Sequence, residues 1–264
     1  MFSKTRKFIV SLVSSLTLSS LVLFPQAVKA QVKVSPMVIM AETEQGQATG
    51  VITLTNQSNQ EARIRLSAQP FTYSEGGFES LEESENDLSP YLIYSPREVV
   101  LQPGQVRRVR LLARLLPSNQ EQEYRAVIFA EPLREVNSDS GLTVNSRVGV
   151  TIYVRHGDLS FNLEPQNASY NEENNFIALR VINSGNATVR PGVRWTLNQN
   201  GEEITTGGMS QITIVEQGDR IIPIRFQPDQ EITPGEYQVT GDFLLGDPRF
   251  PQTIPFDFNV YIPE

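Results

Sequence analysis

The chain has 264 residues, with 22 basic and 30 acidic side chains, one histidine and no cysteine. The net charge of -8 argues against general nucleic-acid binding. The missing cysteines exclude disulfides, thiol catalysis and Cys/His zinc sites, and any Ser-His-Asp triad would have to use His156.

Lys4, Arg6 and Lys7 open the sequence, and an apolar run diluted by serine follows from Phe8 to Phe24. Val28-Lys29-Ala30 then fits the small-x-small rule for signal peptidase. Residues 1–30 therefore read as a cleaved export signal that delivers a mature chain, starting at Gln31, to the periplasm. The run is too short and serine-rich for a retained anchor, and no later stretch approaches membrane-spanning length. The mature chain carries 18 basic and 30 acidic residues, a net charge of -12.

Beyond Ala30 helical periodicity is nearly absent, and short alternating segments recur between clusters of Gly, Asn, Ser and Pro. Ile52 and Leu54 share one face. Ala62, Ile64, Leu66 and Ala68 share another, with Arg63 and Arg65 pointing away. Residues 72–90 break the pattern, with Glu75, Glu79, Glu82, Glu83, Glu85 and Asp87 around Gly76-Gly77. They read as an acidic surface loop; the Asp-x-Asp-x-Asp-Gly spacing of a calcium loop is missing. Val109, Leu111, Ala113 and Leu115 alternate with Arg108, Arg110 and Arg114. That arginine stripe is either a solvated face or a basic groove for a partner's acidic end or backbone. Val148, Val150, Ile152 and Val154 alternate with Arg147, Thr151 and Arg155, and a hinge follows at His156-Gly157-Asp158.

The second half repeats the plan. Val51 to Asn56 turns through Gln-Ser-Asn, and Ile177 to Asn183 turns through Ser-Gly-Asn. Gly104 to Leu111 precedes a Glu123-Tyr124 strand, as Gly218 to Phe226 precedes Glu236-Tyr237. The expected fold is all-β: two tandem immunoglobulin-like sandwiches, residues 31–156 and 157–264, with a cleft between them.

No constellation of residues marks an enzyme, a metal centre or a cofactor site. His156 reads as a hinge histidine, and Trp195, alternating with Val193 and Leu197, reads as core. The tripeptides at Asn56, Asn167 and Asn186 fit the glycosylation rule, but strand-to-turn positions explain their asparagines.

Several segments in sequence resemble the PapD-like periplasmic chaperones of pilus and fimbrial subunits. They are Ser95-Pro96, Leu101-Gln-Pro-Gly-Gln105, Val109-Arg110-Leu111, Glu123 to Pro132, and the closing strand Arg147 to Arg155. The resemblance implies a pilin-like client that lacks one strand, captured when the chaperone adds its own strand to the client's sheet. It also implies an outer-membrane usher as a further partner. Leu142, Val144, Val148 and Val150 have the alternation for the added strand, and Arg108 and Arg110 are the other partner-binding candidates. The family holds its client's terminal carboxylate with two cations. This sequence aligns Met40 and Thr151 there, and neither makes a charge-assisted bond; Lys33, Arg147 and Arg155 are near in sequence without matching. The alternative is a structural or adhesive immunoglobulin-like protein of the cell envelope without chaperone activity.

Overall fold

The computed structural model describes residues 32–74, 77–133, 147–160, 162–226, 233–246 and 253–264. Residues 1–30, expected to be an export signal, and Leu142 and Val144 lie outside the described residues.

The first half folds as two facing sheets. One has the order β1 (Val32–Ser35), β3 (Gln47–Asn56), β9 (Val106–Arg114), β7 (Leu92–Ser95). The other has the order β2 (Val38–Glu42), β11 (Val148–His156), β10 (Gln122–Pro132), β4 (Ala62–Gln69), β8 (Glu98–Leu101). The first strand is split: β1 pairs with β3 in one sheet, and after Pro36 the chain crosses to pair β2 with β11 in the other. Alternation sets which side is inside. Ile52, Leu54, Ile64, Leu66, Val109 and Leu111 all enter one core, while Arg63, Arg65, Arg108 and Arg110 face out.

The second half repeats the architecture, with β12 (Leu163–Asn171), β13 (Phe176–Asn183) and β16 (Gly218–Arg225) in one sheet. The facing sheet runs β15 (Glu202–Met209), β14 (Gly192–Gln199), β17 (Gly235–Leu244), β18 (Thr253–Ile262). Trp195 is buried in this core. Its indole fills the space a side chain would take at Gly207, where an added Cβ would sit 2.3 Å from Cζ2.

Two polar devices occur once in each sandwich. Asn56 and Asn183 end equivalent strands and are fully buried. Asn56 donates Nδ2 to the Gln60 and Leu101 carbonyls, at 2.7 and 2.9 Å. Asn183 donates to the carbonyls of Ala187 (2.8 Å) and Val215 (3.1 Å) and accepts from the Gly185 amide. Asn56 clamps the turn after its strand to β8, and Asn183 clamps its turn to the segment ahead of β16. Tyr124 and Tyr237 each donate their hydroxyl to a carbonyl four residues upstream, Gln120 (3.3 Å) and Thr233 (2.7 Å). This is the tyrosine corner of immunoglobulin-like sandwiches, and it explains why the Glu-Tyr pair recurs in the sequence.

Two expectations need correction. The segment 72–90 is not a plain acidic loop. Its start belongs to a hairpin of β5 (Phe71–Ser74) and β6 (Gly77–Ser80). Phe71, Tyr73 and Phe78 pack with Val127, Phe129 and Tyr153 on the outer face of the second sheet. As a result β11 does not alternate between core and solvent. Every residue from Val150 to Val154 is buried, Thr151 included.

Replacing Asn183 with alanine strands several buried backbone groups at once. The expected cost is about 2–3 kcal/mol, seen as a melting transition lowered by roughly 5–10 °C. A wild-type melting temperature would show that the clamp is dispensable.

Candidate functional site

Among the described residues, the start of the first sandwich's closing strand is paired on one side only. On one side β11 pairs with β10 along its whole length, from Val148 opposite Ala130 to His156 opposite Gln122. On the other, the parallel pairing with β2 begins only at Thr151, opposite Val38. Thr151 donates its amide to the Met37 carbonyl at 3.0 Å. By the two-residue period of a strand, Gly149 and Arg147 turn their amides and carbonyls to that same side, ahead of β2. The reason lies in the split first strand: before Pro36 the chain belongs to the other sheet, so nothing in β2 extends along Val148–Val150. Val148 is half-buried there, whereas Val150, 1% exposed, is a core residue and offers backbone rather than side chain. Gly149 faces the aromatic cluster so tightly that a Cβ would lie 2.9 Å from Val127 Cγ2.

Directly along the same strand pair, a polar cluster joins the two sandwiches. Glu123 on β10 is 1% exposed and accepts the Thr188 amide at 3.1 Å. Arg155 on β11 donates to the Thr188 carbonyl at 2.7 Å and lies 3.5 Å from the same Glu123 carboxylate. Glu42 on β2 approaches Arg155 at 3.8 Å. Arg125 donates Nε to the Phe71 carbonyl at 3.0 Å and forms an ion pair with Glu216 of the second sandwich, which Asn86 also contacts. Arg220 on β16 donates to the Ser74 carbonyl at 2.7 Å. Burial pushes the Glu123 carboxyl from an ordinary 4.5 up to about 7; Thr188 and Arg155 oppose the rise and Glu216 adds to it. Burial also raises Glu216, against the pull of Arg125.

The candidate residues do not converge. Arg108 and Arg110 lie on the outer face of the sheet β1-β3-β9-β7, away from the edge of β11 in the opposite sheet. Of the positions aligned with the family's cations, Met40 stands opposite Tyr153 and is exposed, and Thr151 is buried. Arg147 stacks on Phe129, 3.8 Å from the ring centre, and Arg155 is engaged at the junction. His156 meets Thr43 through Nδ1 at 2.9 Å. The junction residues escaped the sequence reading. The signals were Arg155 on β11 and a pair of charges, Glu123 and Arg125, ahead of the apolar run Ala126–Ala130; the partners Thr188 and Glu216 carry none.

Because its folded pKa lies above its unfolded one, Glu123 binds a proton in the folded chain that the unfolded chain has released. Its favourable contribution is full below about 4.5 and lost as pH rises through about 7. The stability of the native chain relative to Glu123→Gln should therefore fall between pH 5 and pH 8 in thermal melts. A constant difference would show that Glu123 stays a carboxylate paired with Arg155 throughout.

No protein-family model matches the chain, and no curated protein matches its sequence. Among solved structures, the class 5 fimbriae chaperone CfaA is similar over 88% of this chain and 100% of its own, at 13% identity and a TM-score of 0.50. The chaperone YadV is similar over 87% of this chain and 100% of its own, at 12% identity and the same TM-score. The chain thus has the two-domain, immunoglobulin-like fold of the fimbrial chaperones.

Proposed function

We propose that this chain is a periplasmic chaperone that captures an exported, pilin-like subunit by adding the start of β11 to the subunit's incomplete sheet. The observation that carries the reading is that, among the described residues, Val148–Val150 have no ladder partner on the β2 side, in a strand otherwise paired on both sides. Strand addition needs such an edge: main-chain hydrogen bonds supply affinity, and alternate side chains supply specificity. An unsatisfied edge is also a liability that a client would cover. Upstream, Leu142 and Val144 continue the alternation of Val148 and provide the apolar side chains for the client's groove.

Binding of this kind rests on backbone pairing and apolar contact. The positions aligned with the family's cations hold Met40 and Thr151, so capture here does not use a terminal carboxylate held by two charges. The fold shared with CfaA and YadV supports the reading, as does the sequence of residues 1–30, which has the pattern of an export signal. Residues 31–156 then form the capturing domain and residues 157–264 the second. The junction around Glu123 and Glu216 holds them in register.

Replacing Leu142 and Val144 together with aspartate should abolish recovery of the exported subunit that co-purifies with the native chain. Each buried aliphatic contact is worth roughly 1.5–3 kcal/mol, and a charge placed in an apolar groove adds to the loss. The melting curve should stay unchanged. A folded variant that keeps its client would contradict strand donation. A variant that fails to fold would make Leu142 and Val144 core residues and favour a structural role for the chain.

A further inference from the structure

We propose a second interaction surface, on the opposite sheet of the first sandwich, that binds an acidic protein partner presenting apolar side chains among its carboxylates. The surface is the outer face of β1-β3-β9-β7. The register places Thr53 beside Arg108, Val51 beside Arg110, Thr49 beside Leu112 and Gln47 beside Arg114. It adds Ile93 beside Leu112, Ser95 beside Arg110 and Lys33 beside Thr55.

Two features of that face point to a ligand. First, its charges have one sign. Lys33, Arg108, Arg110 and Arg114 are its ionised groups, with no Asp or Glu among the outward positions, in a chain with 30 acids against 22 bases. None of the three arginines forms an ion pair or hydrogen bond among the described residues, although other arginines, such as Arg65 and Arg180, pair with carboxylates. Second, the face is apolar between its cations. Val51, Ile93 and Val106 are 44, 58 and 53% exposed. Val51, Ser95, Arg108 and Arg110 line a shallow depression. It continues through Val51 and Arg110 to a second, lined by Thr49, Ile93 and Leu112.

Charge complementarity requires an anionic occupant, and the aliphatic side chains select among anions. A polyanion such as a nucleic acid or phosphate polymer has no use for Val51 and Ile93, finds no aromatic platform on this face, and is repelled by the chain's net negative charge. A protein surface with carboxylates around an apolar centre satisfies both features. This surface is separate from the open edge of β11, which belongs to the other sheet, so one molecule can hold both partners at once.

The test uses three fluorescent probes on the full exported chain: an alternating Glu-Val octapeptide, octaglutamate and polyphosphate, with binding read by anisotropy at low and physiological salt. The Glu-Val peptide should bind most tightly. Arg108→Glu/Arg110→Glu should weaken it by about tenfold or more, with the melting curve intact. Ile93→Asn should remove its advantage over octaglutamate. The same double reversal should leave co-purification of the exported subunit unchanged, so failure of this surface and failure of strand capture give different results. Polyphosphate binding as tightly as the peptide, or peptide binding indifferent to the charge reversal, would overturn the proposal.

Discussion

The strand pair β10–β11 is covered on both faces, and the rest of the molecule is arranged around that double burial. On the inner face Tyr124, Ala126, Ile128, Val150, Ile152 and Val154 join the core of the first sandwich. On the outer face Val127, Phe129 and Tyr153 are roofed by the aromatic hairpin. Further along the same face, Glu123, Arg125 and Arg155 meet the second sandwich. A central strand pair buried in this way cannot shift register without exposing one set or the other. It therefore holds its remaining free portion, the first three residues of β11, in a fixed position.

The junction is built from buried charge rather than apolar contact. Arg125–Glu216 and Arg155–Glu123 are both largely removed from water, and such pairs add little net stability, because the loss of hydration offsets the attraction. What they contribute is geometry. Each guanidinium also donates to a backbone carbonyl, Phe71 for Arg125 and Thr188 for Arg155, so hairpin, first sandwich and second sandwich are tied at defined atoms. Burial raises the Glu123 carboxyl to about 7, so near neutral pH it carries its proton part of the time, which lowers the cost of keeping it there.

The fold was legible because most of its strands obey a simple period. Ile52 and Leu54, the alternating Ala62 to Leu66, and the repeated Asn-turn and Glu-Tyr segments together specify two sandwiches. The repeats hold for physical reasons that the sequence alone does not reveal: Asn56 and Asn183 are backbone clamps, and Tyr124 and Tyr237 are corners. The period misleads where a second layer covers a face. Thr151 looks like an outward position by period and is buried on the outer face between Val127 and Tyr153, which the aromatic hairpin covers. The open edge was only half visible. Alternation identified Val148, but Val150 belongs to the core, and nothing in the sequence says that β2 begins three residues too late to cover it.

Strand addition requires the start of β11 to be unpaired on its β2 side while the remainder of the strand is locked. Residue-resolved amide hydrogen exchange measures this directly in the free chain. It should find Thr151 to Val154 strongly protected and Gly149 and Arg147 exchanging fast, with Gly149 becoming protected once a subunit is captured. Uniform protection from Gly149 through Val154 in the free chain would mean that the edge is already covered, and would contradict strand addition from this site.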